Sequence, residues 1–210
     1  MEATPKGKGI CPCCDSETIA KCGTYKIGHW AHKAKIQCDP WLKKETPWHL
    51  QWKDYFPKEC QEVVHKNVIT GEKHIADVKT KQGRVLEFQN SPISLEEKTS
   101  REVFYPKMVW IVNAIKFRKN LILKERLNDR SNGDFERYQF TWRRSKAKQL
   151  WLCANMPVCF DFQKYNLWWL EDYDNQSDQG TLASVRKKIF ITKNGGIWTE
   201  PTIEYPQTWR

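Results

Sequence analysis

Asp77 lies in "HIADV" and Glu87 in "RVLEFQNS", two short runs that read as strands. Side chains alternate along a strand, so Asp77 points away from Ala76 and Val78. By the same period Val85, Glu87 and Gln89 share one face, and Leu86 and Phe88 take the other. Two carboxylates on neighbouring strands make an oxygen site for a hard cation such as Mg²⁺ or Mn²⁺. Such a cation polarises a phosphodiester and lowers the pKa of a bound water. Aspartate is a poor strand former, so its place mid-strand points to function rather than to an ordinary solvated face. Glu45, His49 and Lys53 come just before, at i, i+4 and i+8, on one face of a helix that reaches back to Glu45. Glu45 offers a further carboxylate, His49 a proton or hydrogen-bond donor, and Lys53 a phosphate contact. Without the sheet, the same trio would read as a solvated salt-bridge ladder.

A second constellation stands nearer the start. Cys11 and Cys14 have C-x-x-C spacing in "CPCC", and His29 and His32 have H-x-x-H spacing in "HWAH". Thiolate and imidazole are ligands that Zn²⁺ prefers, and two short-spaced pairs suit one closed, structural, tetrahedral site. Cys13, Cys22 and Cys38 are alternative ligands. The chain has 8 Cys and a polar start, "MEATPKGKG", without the pattern of a signal peptide. Clustered Cys in that setting favour metal over disulfides and point to the cytoplasm. No run approaches the ~18 apolar residues of a membrane span.

The elements that must position these groups follow from local signals. Thr46 as cap and Pro47 in the first turn predict a helix over Thr46–Phe56. "QEVVHKN", "KHIADVKT" and "RVLEFQNS", separated by Thr-Gly and Gln-Gly turns, predict an antiparallel meander. Ser94 with Glu97 three residues on is a capping box opening a second helix, and "MVWIVNAI" reads as a buried strand. "RYQFTW", "QLWLCAN", "PVCFDF", "YNLWWL" and "RKKIFITK" read as strands, with "DRSNGD" and "DYDNQSDQG" as loops. The fold class is therefore α/β, an α+β mixed sheet. Residues 1–9 read as a polar tail, 10–41 as a zinc-binding module, 42–114 as the core, and 115–210 as a basic, strand-rich extension packing on it.

The net charge of +10 favours a polyanionic partner. From Ile115 to Trp151 there are 11 Lys or Arg against 4 Asp or Glu. Within that stretch Arg143, Arg144, Lys146 and Lys148 are candidate phosphate contacts, and Trp142 and Trp151 are candidates for stacking on unpaired bases or for the core.

A strand Asp, a hairpin, then a Glu two residues before position 89, all preceded by a helix with Glu, resembles the PD-(D/E)xK nuclease superfamily. More closely, "CPCC", "HWAH", "ETPWHLQWK", "HIADV", "EFQNSPIS" and "REVFY", in that order over residues 11–114, resemble the competence protein CoiA-like family of bacterial nuclease-like proteins. "FTW" and "PVCFDF" are similar to that family's C-terminal pattern. The resemblance implies a restriction-endonuclease-like core, with a divalent cation at Asp77 and Glu87 and DNA as partner. In the superfamily a lysine at the last motif position orients the attacking water; here Gln89 stands there, and an amide holds a water by hydrogen bonds. Lys53, or Lys79 on the face of Asp77, would replace the missing charge. The expectation is a deoxyribonuclease of DNA uptake, recombination or phage defence, working alone, as a homodimer or with a partner subunit. The amide at Gln89 motivates an alternative, a non-cutting zinc-containing DNA-binding or recombination-accessory protein. A zinc hydrolase is the weakest reading, because no general base accompanies the Cys/His segment.

Overall fold

A computed structural model of the chain describes residues 3–23, 26–33, 38–41, 45–127, 135–143 and 146–200. The chain divides into two compact units, one of Met1–Lys44 with Glu62–Ala76, the other of Glu45–Gln61 with Asp77–Arg210. The extension anticipated from residue 115 onward falls in the second unit, with part of the core anticipated before it, while Glu62–Ala76 of that core falls in the first.

The first unit opens with an antiparallel sheet in the order β1 (Lys8–Ile10), β2 (Glu17–Gly23) and β3 (Lys26–His32). Sequence periodicity did not reveal these strands, because they carry too few apolar residues to show an alternation. Trp30 lies over Gly7 and Gly9; a Cβ at Gly7 would meet its ring at 3.0 Å, so glycine makes the room. β4 (Gln61–Lys66) and β5 (Lys73–Lys79) follow and are neighbours in the strand order. Their connection is held by Asn67 Oδ1, which accepts from the amides of Ile69 and Thr70, and by Gly71 at a left-handed φ of 76°. A polar clamp substitutes for a large core. Asp39, fully buried, accepts from Nδ1 of His74 at 2.9 Å and from the amides of Ile75 and Trp41 at 2.8 and 2.9 Å. The Trp41 ring stacks on His74 at 3.3 Å.

In the second unit α1 (Pro47–Asp54) is capped by the Thr46 side chain, with proline in its first turn. β6 (Val85–Gln89), α2 (Leu95–Phe104, capped by Ser94) and β7 (Met108–Asn113) form a parallel crossover. Then come β8 (Leu121–Arg126), β9 (Phe135–Trp142), α3 (Lys146–Leu152), β10 (Val158–Asp161), β11 (Asn166–Asp174), β12 (Gln179–Arg186) and α4 (Lys187–Lys193). Among the described residues the strands make a nine-stranded sheet, β4-β5-β6-β7-β10-β11-β12-β9-β8. It is mixed: β7 pairs in parallel with β6 and β10, while β5–β6, β10–β11 and the strands beyond pair antiparallel. The fold is a β-dominated α/β structure around a large mixed sheet, as the α/β expectation has it at that level.

One face of this sheet buries Leu86, Phe88, Ile111, Cys159 and Leu167 against Trp48 and Trp52 of α1 and Phe190 and Ile191 of α4. The other face meets α2 and α3, where Trp110 packs edge-on to Trp151. Two expectations fail here. "QLWLCAN" and "RKKIFITK" are not strands: Lys146–Leu152 and Lys187–Lys193 are helical. In α4 the inward residues are Lys187, Phe190 and Ile191, an i, i+3, i+4 pattern that tertiary packing selects over the β-branched local preference. In α3 Trp151 is the one buried residue, on a run of good helix formers. β12 completes a hairpin with β11, so "DYDNQSDQG" is mostly strand end and turn. "DRSNGD" lies outside the described residues.

Candidate metal centres

The knuckle between β1 and β2 is built by its own backbone. The Cys11 amide donates to the carbonyl of Ser16, and the Asp15 amide donates to the carbonyl of Cys11, both at 2.9 Å. Asp15 takes a left-handed φ of 59° to close the turn. This turn presents Cys11 and Cys14 toward His32, at the end of β3, and Cys38 beyond it. The ligand atoms of Cys11, Cys14, His32 and Cys38 all lie within 4.8 Å of one another. Among the described residues no other Cys, His or carboxylate group of three or more gathers so closely. The sulfurs of Cys11 and Cys38 are 3.7 Å apart, and Cys14 Sγ is 3.2 Å from His32 Nε2. With Zn–S bonds of about 2.3 Å, a tetrahedral S–S edge is ~3.8 Å, so a Cys₃His set of this size fits zinc. Hydrogen bonds from the hydroxyl and the backbone of Ser16 lower the Cys14 thiol to about 6, poising it as a thiolate. Burial raises the Cys38 and Cys13 thiols, an effect that a bound cation would reverse for any thiol coordinating it.

Of the ligands anticipated from sequence, Cys11, Cys14 and His32 meet here, and Cys38, one of the alternatives, joins them. His29 pairs with Lys21 across β2, is exposed, and stands outside the group. Cys13 is buried beside it, and Cys22 points its thiol at the Ala3 carbonyl. The spacing of Cys38 could not mark it as the fourth ligand, because its nearness to the knuckle is a tertiary feature.

The second constellation is within the second unit. Val78 pairs with Leu86, which puts Asp77 and Glu87 beside one another on the face away from Val78. The Asp77 amide reaches Glu87 Oε1 at 3.4 Å, and Asp77 Oδ2 accepts from the Phe88 amide at 2.8 Å. Asp77 is half-buried and Glu87 is 2% exposed. Glu87 Oε2 accepts from Arg101 Nη1 at 2.6 Å, and Nη2 of the same guanidinium donates to Glu97 at 2.7 Å. Burial, followed by the charge of Asp77, pushes the Glu87 carboxyl up to about 8, while Arg101 pulls it back.

His49 donates from Nε2 to the Phe88 carbonyl at 2.5 Å and takes the Thr46 hydroxyl at Nδ1 at 2.9 Å, so it props β6 rather than facing solvent. Glu45 is paired with a nearly buried Lys53. Gln89 is buried and donates to the Ser91 carbonyl at 2.6 Å. Lys79, on the face of Asp77, is half-exposed. Of the basic quartet, Arg143 and Lys146 are exposed, Lys148 is paired with Asp178 and lies over the Tyr173 ring, and Arg144 lies outside the described residues. Trp142 and Trp151 are buried at 0% and 3%, which makes them core residues unable to stack on a base. Sequence reasoning missed Arg101; in "LEEKTSREV" the i, i+4 pairs Glu97–Arg101 and Lys98–Glu102 read as an ordinary solvated helix face.

The Cys₃His knuckle is where a likeness to known proteins falls. Residues 3–40 match the family model of the competence protein CoiA, N-terminal domain. The CoiA N-terminal match takes in all four members of the Cys₃His group and ends before β4. No curated protein and no solved structure matches the chain. No helix among the described residues is long and apolar enough to cross a membrane.

Proposed function

We propose that this chain is a zinc-stabilised, Mg²⁺- or Mn²⁺-dependent deoxyribonuclease with a restriction-endonuclease-like core and a competence-related role in DNA uptake or recombination, or in phage defence. The observation that carries this reading is the juxtaposition of Asp77 and Glu87 across β5 and β6, with Arg101 fixing the Glu87 carboxylate from behind. Cys11, Cys14, His32 and Cys38 would hold zinc as a structural clamp; the likeness to a competence protein's N-terminal domain covers this clamp. Asp77 and Glu87 would hold the divalent cation, whose contribution when bound is to polarise the phosphodiester and acidify water. Asp77 Oδ1 makes no hydrogen bond among the described residues and supplies the first ligand atom. Gln89 uses its amide NH₂ on Ser91, which leaves its carbonyl oxygen to orient a water. His49 acts as a positioning residue, holding the β6 backbone at Phe88 between the two motif positions. Lys53, balanced by Glu45, supplies positive charge on the helix side once DNA competes for it. The test is cleavage of plasmid and single-stranded DNA with Mg²⁺ or Mn²⁺ by wild type, Asp77→Asn and Glu87→Gln. Cutting by wild type and loss of ~10² or more in each variant is the expected result; wild type that cuts neither substrate, or variants that cut equally, rejects it.

A second reading has its own observation. Glu87 is already paired with Arg101, Asp77 already accepts the Phe88 amide, and position 89 is an amide. A self-satisfied pair of carboxylates suits a DNA-binding accessory protein that does not cut, and that reading gains if wild type binds DNA without cleaving it.

A further inference from the structure

The sheet register places an aromatic ring and a set of cations on one groove, whose lining includes none of Arg143, Lys146 and Lys148. Across the strands runs one row of paired residues: Phe88, Ile111, Cys159, Trp169, Ala183 and Arg137. Its first members are in the core. Trp169 is only partly buried against that core, and its remaining surface lines two adjoining cavities of about 520 and 300 Å³. Arg84, Trp169, Lys193 and Asn194 line both cavities. Lys107 adds charge to the first and Arg137 to the second; the acid among the lining residues, Glu171, is offset by Arg137 at 2.8 Å. Arg84, Lys107 and Lys193 are exposed, and Arg84 is braced by Asn194 Oδ1 at 3.0 Å. A partly exposed indole with cations around it is the combination that receives a base by stacking and its phosphates by charge. An apolar peptide would leave these cations desolvated and unmatched, at a cost that a nucleotide does not incur.

We infer that the groove around Trp169 binds single-stranded nucleic acid, one base stacked on the indole and the flanking phosphates met by Arg84, Lys107 and Lys193. The inference rests on the reading of the chain as one that acts on nucleic acid, and it adds where and in what form.

The test is fluorescence anisotropy with a labelled oligothymidylate of about 12 nucleotides and with a duplex of the same length, using the full chain without added Mg²⁺ or Mn²⁺. Wild type should bind the single strand more tightly than the duplex. Trp169→Leu, which keeps apolar bulk against the core, should weaken single-strand binding about tenfold, and Trp169→Phe should restore most of it. Lys107→Glu, at an exposed position, should also weaken binding and lower the slope of log K against log salt by about 1 or more. Thermal melts alike for wild type and Lys107→Glu keep the charge arm independent of folding. Groove variants that bind like wild type, or losses confined to Arg143→Glu and Lys146→Glu, overturn the inference. If the groove variants bind normally while wild type cleaves, this inference fails and the nuclease stands; if they lose binding while wild type cuts nothing, the groove stands and the nuclease fails.

Discussion

Single residues decide the chemistry open to both candidate centres. Cys38 rather than His29 stands with Cys11, Cys14 and His32: His29 on β3 is exposed, and the Cys38 sulfur is 3.7 Å from that of Cys11. Elemental analysis should therefore find about one zinc per chain in wild type and His29→Ala, and little in Cys38→Ser. At the second centre Glu87 holds a proton up to about 8. A raised carboxyl must give up that proton to bind a cation, so Mn²⁺ affinity should climb with pH, by up to tenfold per unit, and level off above about 8. Titration calorimetry between pH 6 and pH 9 reads this; a flat profile would remove Glu87 from the ligand set. Asp77, Glu87 and Gln89 could be singled out from strand alternation alone, since that period depends only on local backbone geometry. Arg101 could not, because an arginine on a capped, acid-rich helix reads as solvated until a sheet is packed beneath it.

At the scale of elements, α1 and α4 are fastened to β10 by one buried carboxylate. Asp161 Oδ2 accepts from the indole N–H groups of Trp48 and Trp52, both at 2.9 Å, while Oδ1 accepts from Lys187 at 2.8 Å and from the Gln163 amide at 2.6 Å. Burial depresses the Lys187 ammonium, and the Asp161 charge opposes that loss. Removing the acid alone leaves a buried cation and two indole donors without their acceptor, so Asp161→Ala should cost about 3–5 kcal/mol in urea denaturation. Lys187→Met, which removes the charge but keeps the volume, should leave Asp161 bound by the two indoles and cost less. α2 repeats the pattern on the opposite face: Lys98 reaches both Glu102 oxygens at 3.0 Å, and Glu102 also accepts the Trp110 indole N–H at 2.9 Å. Helices with such buried ion pairs are hard to read from sequence. Charge patterning assigns Lys98, Arg101 and Glu102 to solvent, and alternation assigns α4 to a strand, whereas burial reverses both.

For the whole molecule, the division into two units sets different sources of stability. The first unit has the Cys₃His group and the Asp39–His74 clamp, and the second has the aromatic core between α1, α4 and the sheet. Stripping the metal with a strong chelator should unfold residues around the knuckle and leave the second unit cooperative, since metal binding is folding free energy for a segment with so little apolar core. Hydrogen exchange should then show lost protection over β1–β3 and retained protection in β6, β7 and β10. A single transition with and without metal would contradict it.

The sequence by itself determined which residue types were available for chemistry and which faces they take. It also set the capped starts of α1 and α2 and the strands β4 to β7, because caps, turns and a period of two act over a few residues. It determined the net charge of +10 and the clustering of thiols that a zinc site needs. Tertiary structure alone decided the rest. It chose Cys38 as the fourth member of the knuckle and placed Arg101 against Glu87. It turned the candidate stacking residues Trp142 and Trp151 into core and left Trp169 at the edge of a cationic groove. The reason is common to all four. Each depends on a contact between segments far apart in the chain, and no local periodicity carries the position of a partner that folding has yet to bring near.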